Sequence, residues 1–142
     1  MCTVPGYVAG QIDPFDGKSW TATASRSAAA YPPNLAIDGD ATTRWSTGAP
    51  MAAGDTFSVD MGGAIMISSV TYDFGGGTDF PVMYKLELSP DCTTYAQVAT
   101  GAGAANLNKI AFTKQSARCF RITQTAATGA NWWSIYGITV QP

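Results

Sequence analysis

Two carboxylates, Asp38 and Asp40, flank Gly39, and Thr43 follows shortly after. A tight turn at that glycine can aim both acids at one point, and the threonine adds a hydroxyl and a carbonyl. Hard oxygen donors on a flexible turn suit Ca²⁺, which takes roughly six to eight of them. The same tripeptide also makes ordinary solvated turns, so its spacing leaves both readings open. The chain contains no histidine. That removes the commonest general base near neutral pH and the commonest metal ligand. Ser–His–Asp and Cys–His catalysis are excluded with it. A glycosidase would still be possible with two carboxylates across a cleft, one of them with a raised pKa. Asp38 and Asp40 are better explained by the turn, however, and Asp73 and Asp79 lie on an open loop with no evident apolar pocket. The expectation is a protein that binds and does not catalyse.

Aromatic residues offer the second kind of chemistry. A sugar ring presents an apolar C–H face and a rim of hydroxyls, so its binding needs an aromatic platform beside amide, carboxylate or guanidinium groups. Of the four tryptophans, Trp20, Trp45 and Trp133 are read as packing residues. Trp132 follows Gly129-Ala130-Asn131 and cannot share a face with Trp133 if that stretch is extended. With Asn131, which both donates and accepts, it is a candidate sugar platform; a packed loop anchor is the competing reading. The loop Asp73-Phe74-Gly75-Gly76-Gly77-Thr78-Asp79-Phe80-Pro81 is the second candidate wall. Its glycines permit close approach, Asp73 and Asp79 can accept from hydroxyls, and Phe80 can stack. A flexible turn with solvated acids competes with that reading. Thr47, in Ser46-Thr47-Gly48-Ala49-Pro50-Met51, belongs to a third wall.

Short runs of two-residue alternation must position these loops. Phe57, Val59 and Met61 alternate with polar residues, Ile65 and Ile67 begin another run, and Val70, Tyr72 and Phe74 a third. Val82, Tyr84, Leu86 and Leu88 follow, then Ile110 and Phe112, Phe120 and Ile122, Ile138 and Val140. Period two places one set of side chains on one face of a strand. Many such strands punctuated by 15 glycines and 8 prolines read as an all-β, antiparallel β-sandwich. The Ala-rich stretch 22–30 runs into Pro32 and Pro33, so a short turn is expected there and no long helix.

At 142 residues the chain fits one domain. Residues 1–17 are read as a lead-in and 18–142 as the folded module. Eight basic residues against ten acidic ones give a net charge of −2, with no basic run, so nucleic acid and anionic membrane are poor partners. No stretch approaches the ~20 apolar residues of a membrane span. Met1 is followed by Cys2, Pro5 and Gly6, which does not read as a signal peptide.

Five segments, in order, resemble the discoidin fold of coagulation-factor C-type domains, most closely the family 32 carbohydrate-binding modules. They are Asn34 to Trp45 with Ser46-Thr47-Gly48; Phe57-Ser58-Val59-Asp60-Met61-Gly62; Tyr84 to Cys92, with Cys92 where the family has glycine; Ala117-Arg118-Cys119-Phe120-Arg121-Ile122; and Trp132-Trp133-Ser134-Ile135. The match covers about residues 18 to 141. It implies a jelly-roll, galactose-binding-domain-like sandwich and a module that binds a glycan through loops at one end. It also implies a structural calcium held by the Leu35 carbonyl, the side chains of Asp38 and Asp40, Thr43, and the Tyr136 carbonyl. The family often has a glutamate where Gly137 stands, so one carboxylate is missing and binding is expected to be weaker. The galactose-gripping histidine of some relatives is also missing.

Such modules are normally attached to secreted glycan-degrading enzymes, and an extracellular location is expected. The alternative is a phospholipid- or protein-binding relative with Met51, Phe80, Val82 and Met83 as apolar spikes, but no basic cluster backs them. The three cysteines lack zinc spacing. They read either as one bridge plus one free thiol or as reduced, buried thiols. Cys92 follows one strand and Cys119 sits in another at a non-core position, so we expect a Cys92–Cys119 bridge with Cys2 left free.

Overall fold

The structure, a computed structural model, describes residues 15–126 and 130–142. Cys2 and most of the 1–17 lead-in lie outside the described residues. Eight strands are described: β1 (Thr21–Ala24), β2 (Trp45–Ser46), β3 (Thr56–Asp73), β4 (Tyr84–Ser89), β5 (Ala96–Gly101), β6 (Leu107–Gln124), β7 (Ser134–Ile135) and β8 (Gly137–Gln141). A short 3-10 helix spans Pro33–Ala36, where the prolines predict a turn. All strand pairings are antiparallel.

Two long strands organise the sandwich. The first half of β3 pairs with the second half of β6, and that half of β6 also carries β4 and then β5. The second half of β3 pairs with the first half of β6 on one side and with β8 on the other. Register shifts between Asp60 and Ile65, and again between Ile67 and Ser69, separate the halves. Such irregularities bend a strand and raise its twist, which lets one strand serve both layers. The core lies between the layers. Trp20 and Tyr72 both meet Phe120 edge-on, at centroid distances of 5.9 and 6.4 Å.

The alternation read from sequence is the burial pattern. Phe57, Val59, Ile67, Val70, Tyr72, Phe74, Leu86, Phe120 and Ile122 are fully buried, and each large apolar side chain so buried contributes about 1.5–3 kcal/mol. The runs at 56–61 and 65–74 are one strand rather than several. The Ala-rich stretch starts as β1 instead of a turn, and Val82 is exposed, so the buried run begins at Tyr84.

The structure joins Cys92 to Cys119, with Cα atoms 5.1 Å apart. Cys92 occupies a left-handed backbone conformation, φ +63°, where glycine fits without strain. The bridge pins the β4–β5 turn to β6.

Candidate functional site

A second, two-stranded sheet of β2 and β7 closes one end of the sandwich. Trp45 pairs with Ile135 and Ser46 with Ser134. Trp45, Trp133 and Ile135 point into the core and are fully buried; the two tryptophans meet edge-on at 5.0 Å. Trp45 also packs on Phe57, and its indole N–H donates to the Ser27 hydroxyl at 2.9 Å. It is a core residue, not merely a shield for the acidic turn.

Three sequence-distant loops are laced onto this small sheet. The Thr47 amide donates to the Trp133 carbonyl at 2.9 Å, the Met51 amide to the Asn131 carbonyl at 2.8 Å, and the Ser134 amide to the Asp79 carbonyl at 2.9 Å. The Ser134 hydroxyl donates to the Asp79 carboxylate at 2.8 Å. The candidate sugar residues Thr47, Asp79, Asn131 and Trp132 therefore gather at one end of the fold. Trp132 and Asn131 are half-buried.

The other candidates divide. Thr47 is buried; its hydroxyl donates to the Ala49 carbonyl at 2.8 Å and accepts from the Trp133 amide at 3.0 Å. It serves the scaffold here: its single O–H donor is spent on Ala49, and burial keeps the oxygen from solvent. Asp73 turns its carboxylate onto the Gly75 amide at 2.9 Å, while its carbonyl accepts from the Tyr136 amide at 2.7 Å. Phe80 is partly buried against the core. Met51, read as an exposed apolar spike, is only 1% exposed and contacts the Gln124 amide through its sulfur. Val82 and Met83 are exposed, at 38% and 42%.

Sequence reasoning missed what closes the 50–55 loop. Asp55 is buried and accepts from Arg26 through Nε at 2.9 Å and Nη2 at 2.7 Å, and from the Ala52 amide at 2.8 Å. Arg26 also donates to the Pro50 carbonyl at 2.6 Å. Burial pushes the Asp55 carboxyl up, but the Arg26 and Ala52 hydrogen bonds outweigh it and leave the pKa below the ordinary value. No signal in the local sequence linked residues 29 apart.

The acidic turn is assembled on the same side chain that spacing singled out. The Thr43 hydroxyl lies 2.5 Å from an Asp38 carboxylate oxygen, 3.0 Å from the Asp40 carbonyl and 3.3 Å from the Leu35 carbonyl. Asp40 contributes its main-chain oxygen to this cluster. Its carboxylate turns instead to Thr42, whose hydroxyl and amide donate to it at 2.6 and 2.9 Å and hold its pKa down. Across a cavity of about 230 Å³, Ile37, Gly39 and Ala41 of the turn face Tyr136 and Gly137 of the last strands. The donor set is all oxygen and partly anionic, which fits a hard divalent cation.

These features define an all-β, antiparallel jelly-roll sandwich with three loops gathered on a small two-stranded sheet at one end. The F5/8 type C domain profile matches residues 21–138, and the chain belongs to that family. Among solved structures it is similar to the family 32 carbohydrate-binding module of Clostridium perfringens NanJ in complex with galactose. That likeness has a TM-score of 0.78 and 25% identity, over 89% of this chain and 96% of that one. It is similar to a variant of chitosan-binding module 1 from a chitosanase/glucanase of Paenibacillus sp. IK-5, with a TM-score of 0.77 and 25% identity over 88% and 96%. It is also similar to the family 32 module of AlyQ in complex with 4,5-unsaturated mannuronic acid, with a TM-score of 0.71 and 27% identity over 84% and 92%. Comparison with curated proteins finds no match.

Proposed function

We propose that this chain is a non-catalytic carbohydrate-binding module that grips a glycan at the laced loop end, with Trp132 as the stacking platform. Asn131 and Asp79 supply hydrogen bonds at its rim. The lacing carries the reading: Asn131 and Asp79 are held to Met51 and Ser134 by main-chain bonds of 2.8–2.9 Å, so a half-exposed tryptophan stands on a preorganised floor. Preorganisation of this kind lowers the entropic cost of binding. The ligands of similar modules, galactose, chitosan and an unsaturated mannuronic acid, support a glycan and differ in chemistry. Non-catalytic action is supported by the two loop acids, each engaged with its own scaffold.

The acidic turn serves in this proposal as a structural calcium site. Leu35 and Asp40 would supply carbonyls, Asp38 a carboxylate and Thr43 its hydroxyl, with Tyr136 approaching from the last strands. The ion would staple the turn to the chain's C-terminal end. We place the module outside the cell, as part of a larger secreted glycan-active protein; the Cys92–Cys119 bridge supports an oxidising compartment.

The test is retention on a panel of insoluble polysaccharides and glycan arrays by wild type and Trp132→Ala. Wild type should be retained on at least one glycan, and the variant should lose about 1.5–3 kcal/mol of binding, tenfold or more. Equal retention of both proteins would remove Trp132 from the site.

A further inference from the structure

Gln124, the last residue of β6, breaks the pattern of its strand. Phe120, Ile122 and Gln124 share one parity, and all three are fully buried. A carboxamide at a core position is destabilising unless its polar atoms are bonded. Here both ends are engaged. Oε1 accepts from the Met83 amide at 3.2 Å, and Nε2 donates to the Met51 sulfur. The Met83 amide can only donate, which fixes the end of the carboxamide that faces each loop. The backbone of the same residue is tied as well. Its amide donates to the Asp55 carbonyl and its carbonyl accepts from the Gly54 amide, both at 2.8 Å.

These side-chain bonds join distant segments: 73 positions separate Gln124 from Met51, and 41 separate it from Met83. Met51 carries the link onward. Its amide donates to the Asn131 carbonyl at 2.8 Å, one residue before Trp132. A methionine side chain has three rotatable bonds and adapts to its surroundings, so it fixes the 50–55 loop only when its sulfur is anchored. The carboxamide supplies that anchor. On the other side, the Met83 carbonyl accepts from the Thr125 amide at 2.8 Å. The end of β6, the 50–55 loop and the segment entering β4 therefore close around one side chain. An apolar residue of similar size would fill the space and leave the Met83 amide without this partner.

We propose that Gln124 is a positioning residue of the glycan site: its carboxamide sets the 50–55 loop, and through Met51 it sets where Asn131 and Trp132 stand. Being fully buried, it touches no ligand itself. The inference rests on the glycan-binding reading and adds to it the interior group that holds the platform in place. A ligand that meets a platform already in place avoids the cost of ordering it. Loosening the carboxamide therefore appears as lost affinity in a protein that is still folded.

The experiment is calorimetric titration of wild type and Gln124→Leu with galactose, chitotriose and alginate oligosaccharides, beside nuclear magnetic resonance of the tryptophan indole N–H groups without ligand. Wild type should bind at least one of these sugars. Gln124→Leu, shown to be folded by thermal melting, should bind it about tenfold more weakly, the effect of roughly one lost hydrogen bond. The Trp132 indole resonance should move in the variant, while that of Trp20, packed on Phe120, should stay. A merely structural glutamine would lower the melting temperature and leave both the affinity of the folded protein and the Trp132 resonance unchanged. If Gln124→Leu does not fold, Met51→Leu decides: it keeps the volume, removes the sulfur, and should lose about threefold or more in affinity with the same Trp132 shift. Affinity within about twofold of wild type in the folded variant, or an unmoved Trp132 resonance, overturns the proposal and leaves the glycan-binding reading standing. A wild type that binds none of these sugars, nor any glycan of the wider panel, removes both.

Discussion

Replacing Asp55 with asparagine removes the charge that closes the 50–55 loop. The carboxylate is only 8% exposed, while its partner Arg26 is 37% exposed. Breaking a fully buried pair costs about 3–5 kcal/mol because a charge is left behind. Here water screens the arginine end, and asparagine keeps a carbonyl for the Ala52 amide, so the expected loss is about 2 kcal/mol. The pH dependence gives the sharper test. The folded pKa of Asp55 is depressed, so its contribution is full above the unfolded value of about 3.9 and is lost as pH falls through the folded value. Below that window the wild-type side chain is itself neutral. Urea unfolding of both proteins should therefore show a gap of about 2 kcal/mol near neutral pH that narrows below about pH 4. Glycan retention should weaken too, since the loop's Met51 amide holds the Asn131 carbonyl. A gap under about 0.5 kcal/mol at neutral pH, or one constant down to pH 3, would refute the reasoning.

Three further outcomes are expected. Cys92→Ser opens a loop of 27 residues and should cost about 3.5 kcal/mol by chain entropy; Cys92→Gly should be about 1 kcal/mol milder, because glycine is unstrained at φ +63°, as chemical denaturation of the two can check. Gly75→Ala combines φ +82° with a clash against Tyr136 and should lose about 2 kcal/mol or more, whereas Gly77→Ala, which meets nothing within 4 Å, should stay within about 0.5. If the acidic turn binds calcium, melting temperature should rise with Ca²⁺ and return with chelator, and Asp38→Asn should lose that response; a wild type indifferent to both would remove the ion.

The strands legible in the sequence were those with an apolar–polar contrast. Phe57-Val59-Met61 and Tyr84-Leu86-Leu88 showed their faces directly, because period two is a local property of the chain. β5 was missed: Ala96-Gln97-Val98-Ala99-Thr100-Gly101 is an edge strand of small and polar residues, half-exposed on both faces, with no contrast to detect. Met51 read as a surface spike because apolarity in a loop does not say which way the loop folds. Thr47 was selected for its hydroxyl, although the hydrogen bond to Trp133 across 86 residues occupies it.

The sequence by itself determined the sandwich class, the absence of histidine chemistry, the acidic turn and the placement of Trp132 apart from Trp133. All of these follow from composition or from neighbours within a few residues. Only the tertiary structure decided that Asp40 brings its carbonyl rather than its carboxylate to the Thr43 cluster. Likewise, only the fold joined Arg26 to Asp55 and set Arg44 against Tyr31 and Tyr136. These contacts link residues separated by as many as 92 positions, and their geometry depends on how β2, β7 and the surrounding loops pack, which short-range patterning does not encode.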